Sequence, residues 1–173
     1  MMTKEIRALR TLSEVRDAVS KGLADIATED LLVSHLQLGD NAEGYRWELH
    51  RGEVPFWVDL MRFDGKLDLL VAYSIMFMVP QKWDETQKGR LFRYLLECND
   101  FSQTWDAKFF LKDDAVILCS SRMGDEIDKH SARILVDTFS RFAQMFSIKV
   151  YEEFEDLTKL TVKRDDSEIP GVG

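Results

Sequence analysis

The stretch LLVAYSIMFMV, residues 69–79, constrains the chain more than any other, because it is apolar almost throughout and carries no charged residue. A strand with one wet face alternates apolar and polar positions. Here Leu69, Val71, Tyr73, Ile75 and Phe77 fall on one side of an extended chain, and Leu70, Ala72, Met76 and Met78 on the other. Eleven residues are too few to cross a bilayer as a helix, which takes about 20. The stretch therefore reads as a strand of a sheet that is apolar on both faces, and both faces ask for cover.

Length and composition bound what can provide it. With 173 residues, 45% hydrophobic and 31% charged, the chain is long enough for one domain with a sizeable core. A net charge of −8 and a pI near 4.9 argue against phosphate backbones and anionic lipid as main partners, since both reward clusters of Lys and Arg. Proteins or small molecules fit better. The opening MMTKEIRALR is not followed by an apolar run, so no signal peptide is readable and the cytoplasm is the default compartment. Cys98 and Cys119, 21 positions apart in apolar surroundings, suit neither a disulfide scaffold nor a metal knuckle and read as buried free thiols.

Between residues 4 and 20, Ile6, Leu9, Leu12, Val15 and Val19 recur at helical spacing, giving an amphipathic helix that ends near Gly22 and packs either on its own domain or on a partner. A second helix is expected at 28–38, with Leu31, Leu32, His35, Leu36 and Leu38, broken by GDNAEG. Tyr45, Trp47 and Leu49 then alternate with Arg46, Glu48 and His50 as a strand with one wet face. Val54–Phe63 and Leu67–Val79 follow as a hairpin, joined through Asp64-Gly65. Asp84 can cap a helix with an inner stripe of Lys88, Leu91, Phe92, Leu95 and Leu96, in which Gly89 would allow a close crossing. Trp105–Lys112 and Ala115–Arg122 flank a turn at Asp113-Asp114. A last helix starts at Asp125 and runs through Ile127, Ile134, Leu135, Phe139, Phe142 and Phe146, after which IKVYEEFEDL fits a strand, a continuing helix or an edge extension.

This order is an α+β fold: an antiparallel five-stranded sheet with helices on one face, arranged α-β-β-β-α-β-β-α after an extra N-terminal helix. The expected organisation is an N-terminal helix at 1–26, the α+β domain at 27–160 and a mobile tail at 161–173. The hairpin VPFWVDLMRFDGKLDLLVAYSIMFMVP, the helix end and strand pair LFRYLLECNDFSQTWDAKFFLKDDAVILCS, and the closing helix DKHSARILVDTFSRFAQMF resemble the YbjN-domain family, which shares the fold of the type III secretion chaperones. The resemblance covers roughly residues 28–148 and rests on element order and turns. The extra N-terminal helix and the acidic C-terminal extension depart from the family's pattern. The resemblance implies no defined active site and a binding or regulatory role, often in a homodimer.

The residues point the same way. His35, His50 and His130 sit in three different elements without a Cys or second His at ligand spacing. Glu126 and His130, four apart, could supply half a metal site, but Asp125 and Asp128 nearby read more simply as the charged start of a helix. Ser34-His35 and His130-Ser131 are sequence neighbours, so on a helix their side chains diverge. No glycine loop for phosphate is present, and Asp113-Asp114 and Asp165-Asp166 suit a turn and a solvated tail. No catalytic residue, metal or cofactor is expected.

The expected function is therefore a non-catalytic protein-binding module, chaperone-like or regulatory, that forms a homodimer and binds a protein client through apolar sheet and helix surfaces. Trp57, Met61, Leu70, Met76, Met78 and Phe110 are its expected binding surface, with Val116 and Leu118 on the same side and Phe109, Ile117 and Cys119 on the other. Methionine suits a surface that must adapt. The alternative is a small-molecule sensor or enzyme with a pocket near Trp47, Trp57, Trp83 and Trp105.

Overall fold

The computed structural model describes residues 10–27, 31–37, 42–65, 67–100, 106–124, 127–154 and 157. They form an α+β fold of three helices and a six-stranded antiparallel sheet. In chain order these are α1 (Leu12–Ala24), β1 (Leu32–Gln37), β2 (Ala42–Arg51), β3 (Val54–Phe63), β4 (Leu67–Met78), α2 (Glu85–Cys98), β5 (Lys108–Lys112), β6 (Ala115–Met123) and α3 (Lys129–Glu153). The strands lie in the order β1-β2-β3-β4-β6-β5.

The sixth strand is a correction. The segment expected as a helix at 28–38 contains β1, which pairs with β2 from Leu32↔Glu48 to Gln37↔Glu43. Leu32 and Leu36 fit a helical stripe and a two-residue alternation equally well. The backbone edge of β2 decides, because pairing satisfies the N–H and C=O groups of both strands. Residues 28–30 and 38 lie outside the described ones.

Helix α1 opens on a capping box: Glu14 N–H donates to Thr11 Oγ1 at 3.2 Å, and Thr11 N–H donates to Glu14 Oε2 at 2.7 Å. Its buried stripe, Leu12, Val15, Val19 and Leu23, packs on α3 of the same chain rather than on a partner. Gly22 allows this, since a Cβ there would stand 2.5 Å from the Lys129 carbonyl oxygen. Asp25 then holds Lys129 at 3.1 Å and Arg133 at 3.5 Å. The part of the expected helix before residue 10 lies outside the described residues.

Helix α2 is capped by Asp84 with Gln87. Its inner stripe is Leu91, Leu95 and Cys98, whereas Leu96, expected inside, is exposed. Gly89 has open space beside it, so it serves no close crossing. Helix α3 begins at an Asp128 cap and not at Asp125, because the Asp128 carboxylate accepts from Ser131 N–H at 2.7 Å. It continues to Glu153, which makes most of IKVYEEFEDL helical. Ile134, expected on its buried stripe, is exposed, and Val136, Ala143 and Val150 are buried instead.

Aromatic contacts show how α3 crosses the sheet: Phe139 meets Phe56 at 5.8 Å, Phe146 meets Phe109 at 5.2 Å and Tyr151 meets Phe77 at 6.4 Å between ring centroids. On the same side, Trp47 Nε1 donates to Ser20 Oγ of α1 at 3.1 Å. Asn99, at the end of α2, donates to the Phe109 carbonyl at 3.0 Å and accepts from its N–H at 2.6 Å, tying that helix to β5. All three helices thus serve one face of the sheet, and the core lies between them. Among the described residues, no element lies on the other face.

Candidate functional site

Which residues reach the open face follows from register. Phe63 pairs with Leu67 across the β3–β4 hairpin, so three residues separate the strands, with Asp64 (φ 49°) and Gly65 (φ 66°) in the left-handed region. Trp57 then stands opposite Tyr73 and Met61 opposite Leu69, while Leu60 pairs with Leu70. Odd-numbered residues of both strands share the open face, up to Ile75. A bulge between Ile75 and Phe77 inserts an extra residue, after which Phe77 turns inward and Met78 outward.

This register divides the expected binding surface. Trp57, Met61, Met78 and Phe110 lie on the open face. Leu70, fully buried, and Met76, 6% exposed, belong to the core beneath the helices, as do Val116 and Leu118. Phe109 is also inward, whereas Ile117 and Cys119 face outward opposite Ile75 and Tyr73. The physical reason is the hairpin. The strand bounds Val54–Phe63 and Leu67–Val79 leave three residues between the strands, and that count pairs Trp57 with Tyr73 and sets the odd-numbered residues of both strands on one face, whereas the expected surface joined Trp57 to the even-numbered Leu70 and Met76.

The open face centres on an aromatic and ionic cluster. Trp57 and Tyr73 stack with centroids 5.6 Å apart, and the Arg46 guanidinium lies 5.8 Å from the Tyr73 ring. Arg46 Nε and Nη2 each donate to Asp59 at 2.8 Å, a bidentate pair in which Asp59 is only 6% exposed. Burial pushes the Tyr73 phenol well above its ordinary pKa, and the Asp59 carboxylate adds to the shift. Burial likewise raises the Cys119 thiol, which favours the neutral form over a nucleophilic thiolate. Around this cluster Phe63, Leu67, Ile75, Met78, Phe110 and Met123 are all exposed large hydrophobics. The outward residues of β4 and β6 include no charged group.

Among the residues of this face that the sequence expectations left out are Tyr73, Ile75, Ile117 and the Arg46–Asp59 pair. The signal for them was present: once the loop length is set, Trp57 selects the odd-numbered partners in β4.

The tryptophans expected around a pocket do not converge. Trp47 is in the core under α1, Trp57 is on the opposite face of the sheet, and Trp83 packs 6.0 Å from Phe154 at the end of α3. Trp105 lies outside the described residues, as does Glu126 of the possible half metal site. Among the described residues, no three of His, Cys, Asp and Glu come together as metal ligands, and no helix is long and apolar enough to cross a membrane. The tail at 161–173 is outside the described residues as well.

The sequence matches no protein-family model and no curated protein.

Proposed function

We propose that this protein is a non-catalytic, cytoplasmic protein-binding module of the YbjN type, chaperone-like or regulatory, whose working surface is the open sheet face. One observation carries this reading. Seven of the twelve exposed large hydrophobics among the described residues lie on the face that no described helix covers, around a Trp57–Tyr73 stack and with no charge on the outward side of the two strands β4 and β6. Contiguous apolar surface of this kind marks protein contact sites. Aromatic residues anchor such sites because they bury large area at little cost in side-chain entropy. The Arg46–Asp59 pair satisfies its own charges, so a partner can cover it without stranding either one.

Affinity capture with the wild-type chain and with an Ile75→Lys/Ile117→Lys variant tests this. Wild type is expected to retain a reproducible set of protein partners, further copies of itself included, and the folded variant to lose them. An identical set from both would show that binding does not use this face.

A further inference from the structure

We propose that the free edge of β1 is a second interaction surface, which takes an extended, uncharged segment of a protein partner as a seventh strand. This rests on the protein-binding reading for the class of partner, and it adds a place and a conformation.

Register shows which backbone groups are free. Arg51 and Val54 are joined through Gly52 and Glu53 alone, so they are the hydrogen-bonded pair that closes a two-residue hairpin, and such pairs recur at every second position. Pro55, which has no N–H, accordingly stands at an unbonded site opposite His50, and its carbonyl accepts from Ser74 Oγ of β4 at 2.7 Å. Odd-numbered residues of β2 therefore bond β3, and Gly44, Arg46 and Glu48 turn their backbone to Leu36, Ser34 and Leu32 of β1. Val33, His35 and Gln37 are left with their N–H and C=O groups pointing out of the sheet, and no described residue bonds them.

The two edges of the sheet are built differently. At β5, whose Lys112 and Ala115 close another two-residue turn, the same alternation points the Phe109 backbone outward. Asn99 occupies both of its groups, Nδ2 donating to the carbonyl at 3.0 Å and Oδ1 accepting from the N–H at 2.6 Å, and Lys108 and Lys112 stand at the strand's ends. Covering groups and lysines are means by which sheet edges are kept from pairing. Strand β1 has neither: LVSHLQ contains no charge and no proline, its pairing with β2 has no bulge, and all of it but Leu36 is exposed. An edge of this kind is a template for strand addition, in which backbone hydrogen bonds supply affinity and alternate side chains supply selectivity.

The neighbours of the edge state the chemistry of the occupant. Leu32, Ser34 and Leu36 lie on the open-face side, and Val33, His35 and Gln37 on the side of the helices. A segment with apolar residues beside Leu32, Val33 and Leu36 extends both rows, and β1 offers no charge for a charged side chain to pair with. The described ends of the chain lie elsewhere, Arg10 on Arg62 of β3 and Phe154 on Trp83 ahead of α2. A second copy cannot add through its β5 without displacing Asn99.

The probe is a labelled peptide of alternating valine and threonine with a lysine at each end, followed by fluorescence anisotropy. Wild type should bind it, and the same peptide N-methylated throughout, which cannot donate to an edge, should bind about tenfold more weakly or worse. His35→Pro removes an N–H that points away from β2, so it should weaken the probe similarly and leave Tm nearly unchanged, whereas Ser34→Pro breaks a ladder bond and should lower Tm. Amide exchange gives the readout by residue: Val33, His35 and Gln37 fast in the free chain and slowed by the probe, with Leu32, Ser34 and Leu36 slower in both. Equal binding of the methylated peptide, indifference to His35→Pro, or no binding overturns the proposal. So does slow exchange at Val33, His35 and Gln37 in the free chain, which would mean that the chain covers its own edge, and so does a doubled mass that His35→Pro halves, which would give the edge to a second copy. Ile75→Lys/Ile117→Lys leaves the edge intact and should bind the probe as wild type does, so failure of the edge and failure of the open-face reading are told apart.

Discussion

Met76 and Met78, two residues apart in β4, should respond to the same substitution in opposite ways. Met76 is 6% exposed and lies beneath α3, where Tyr151 Oη donates to its carbonyl at 3.4 Å. Met78, past the bulge, is 44% exposed on the open face. Replacing Met76 with Lys removes packing worth about 2–5 kcal/mol in comparable truncations. It also forces an amine either to be buried unpaired, at several kcal/mol, or to give up its proton. Against a total stability of about 5–15 kcal/mol this is close to disabling. A loss of about 4 kcal/mol lowers Tm by about 8–16 °C in a chain of this size. At Met78 the ammonium reaches water from the start, so the change in Tm is expected to stay within about 2 °C. Melting of the two single variants, followed by circular dichroism at a dilution where the chain is monomeric, separates them. Equal losses would mean that the chain's own segments bury both faces of β4. A stable Met76→Lys would mean that the bulge is misplaced and the faces are reversed.

Other expectations follow from the same packing. Gly22→Ala gains helix propensity of about 1 kcal/mol, yet its Cβ would meet the Lys129 carbonyl oxygen at 2.5 Å, so a net loss of about 1–2 kcal/mol is expected in denaturant unfolding. Asn99→Ala removes both hydrogen bonds to the Phe109 backbone and should cost about 1–3 kcal/mol, with faster amide exchange in β5 as the local readout. Arg46→Met leaves the Asp59 carboxylate buried without its partner and should cost about 3–5 kcal/mol, whereas Arg46→Met with Asp59→Leu should recover most of that in a double-mutant cycle. Hydrogen bonds from the backbone and side chain of Ser131 hold the Asp128 carboxyl below its ordinary pKa. The stability it contributes is therefore full above the unfolded value of about 3.9 and lost as pH falls through the lower folded value, and Asp128→Asn should flatten the acid limb of a stability–pH curve.

Much of this fold was legible because local chemistry and tertiary packing agree. The Asp84 cap, the Asp64-Gly65 and Asp113-Asp114 turns and the bounds of β3 stand where residue types place them. Strand β1 was not legible, since Leu32, Leu36 and their neighbours satisfy a helical and an extended pattern at once, and only the free edge of β2 distinguishes them. Leu96 and Ile134 fit the apolar stripes of their helices yet stand exposed, because each stripe is wider than the face its helix buries. The two-sided apolar character of β4 is legible in the sequence, but the side on which each residue falls is not. The three-residue loop puts Leu70 and Met76 on the side opposite Trp57, and one bulge residue then brings Met78 back to the side of Trp57. Periodicity specifies that a strand has two faces. The count of residues in a turn or bulge specifies which face is which, and alternation within one strand does not contain it.

Hydroxyl-radical footprinting across a dilution series tests the open face most directly, with modification read residue by residue by mass spectrometry. At the dilute end Trp57, Met78 and Phe110 are expected to be modified while Leu70 and Met76 are spared. All three should become protected together as concentration rises and the mass doubles, with Leu96 and Ile148 on the helices unchanged. Protection of Trp57, Met78 and Phe110 at every concentration, or protection that appears on the helices instead, would contradict the assignment of this face as the protein's binding surface.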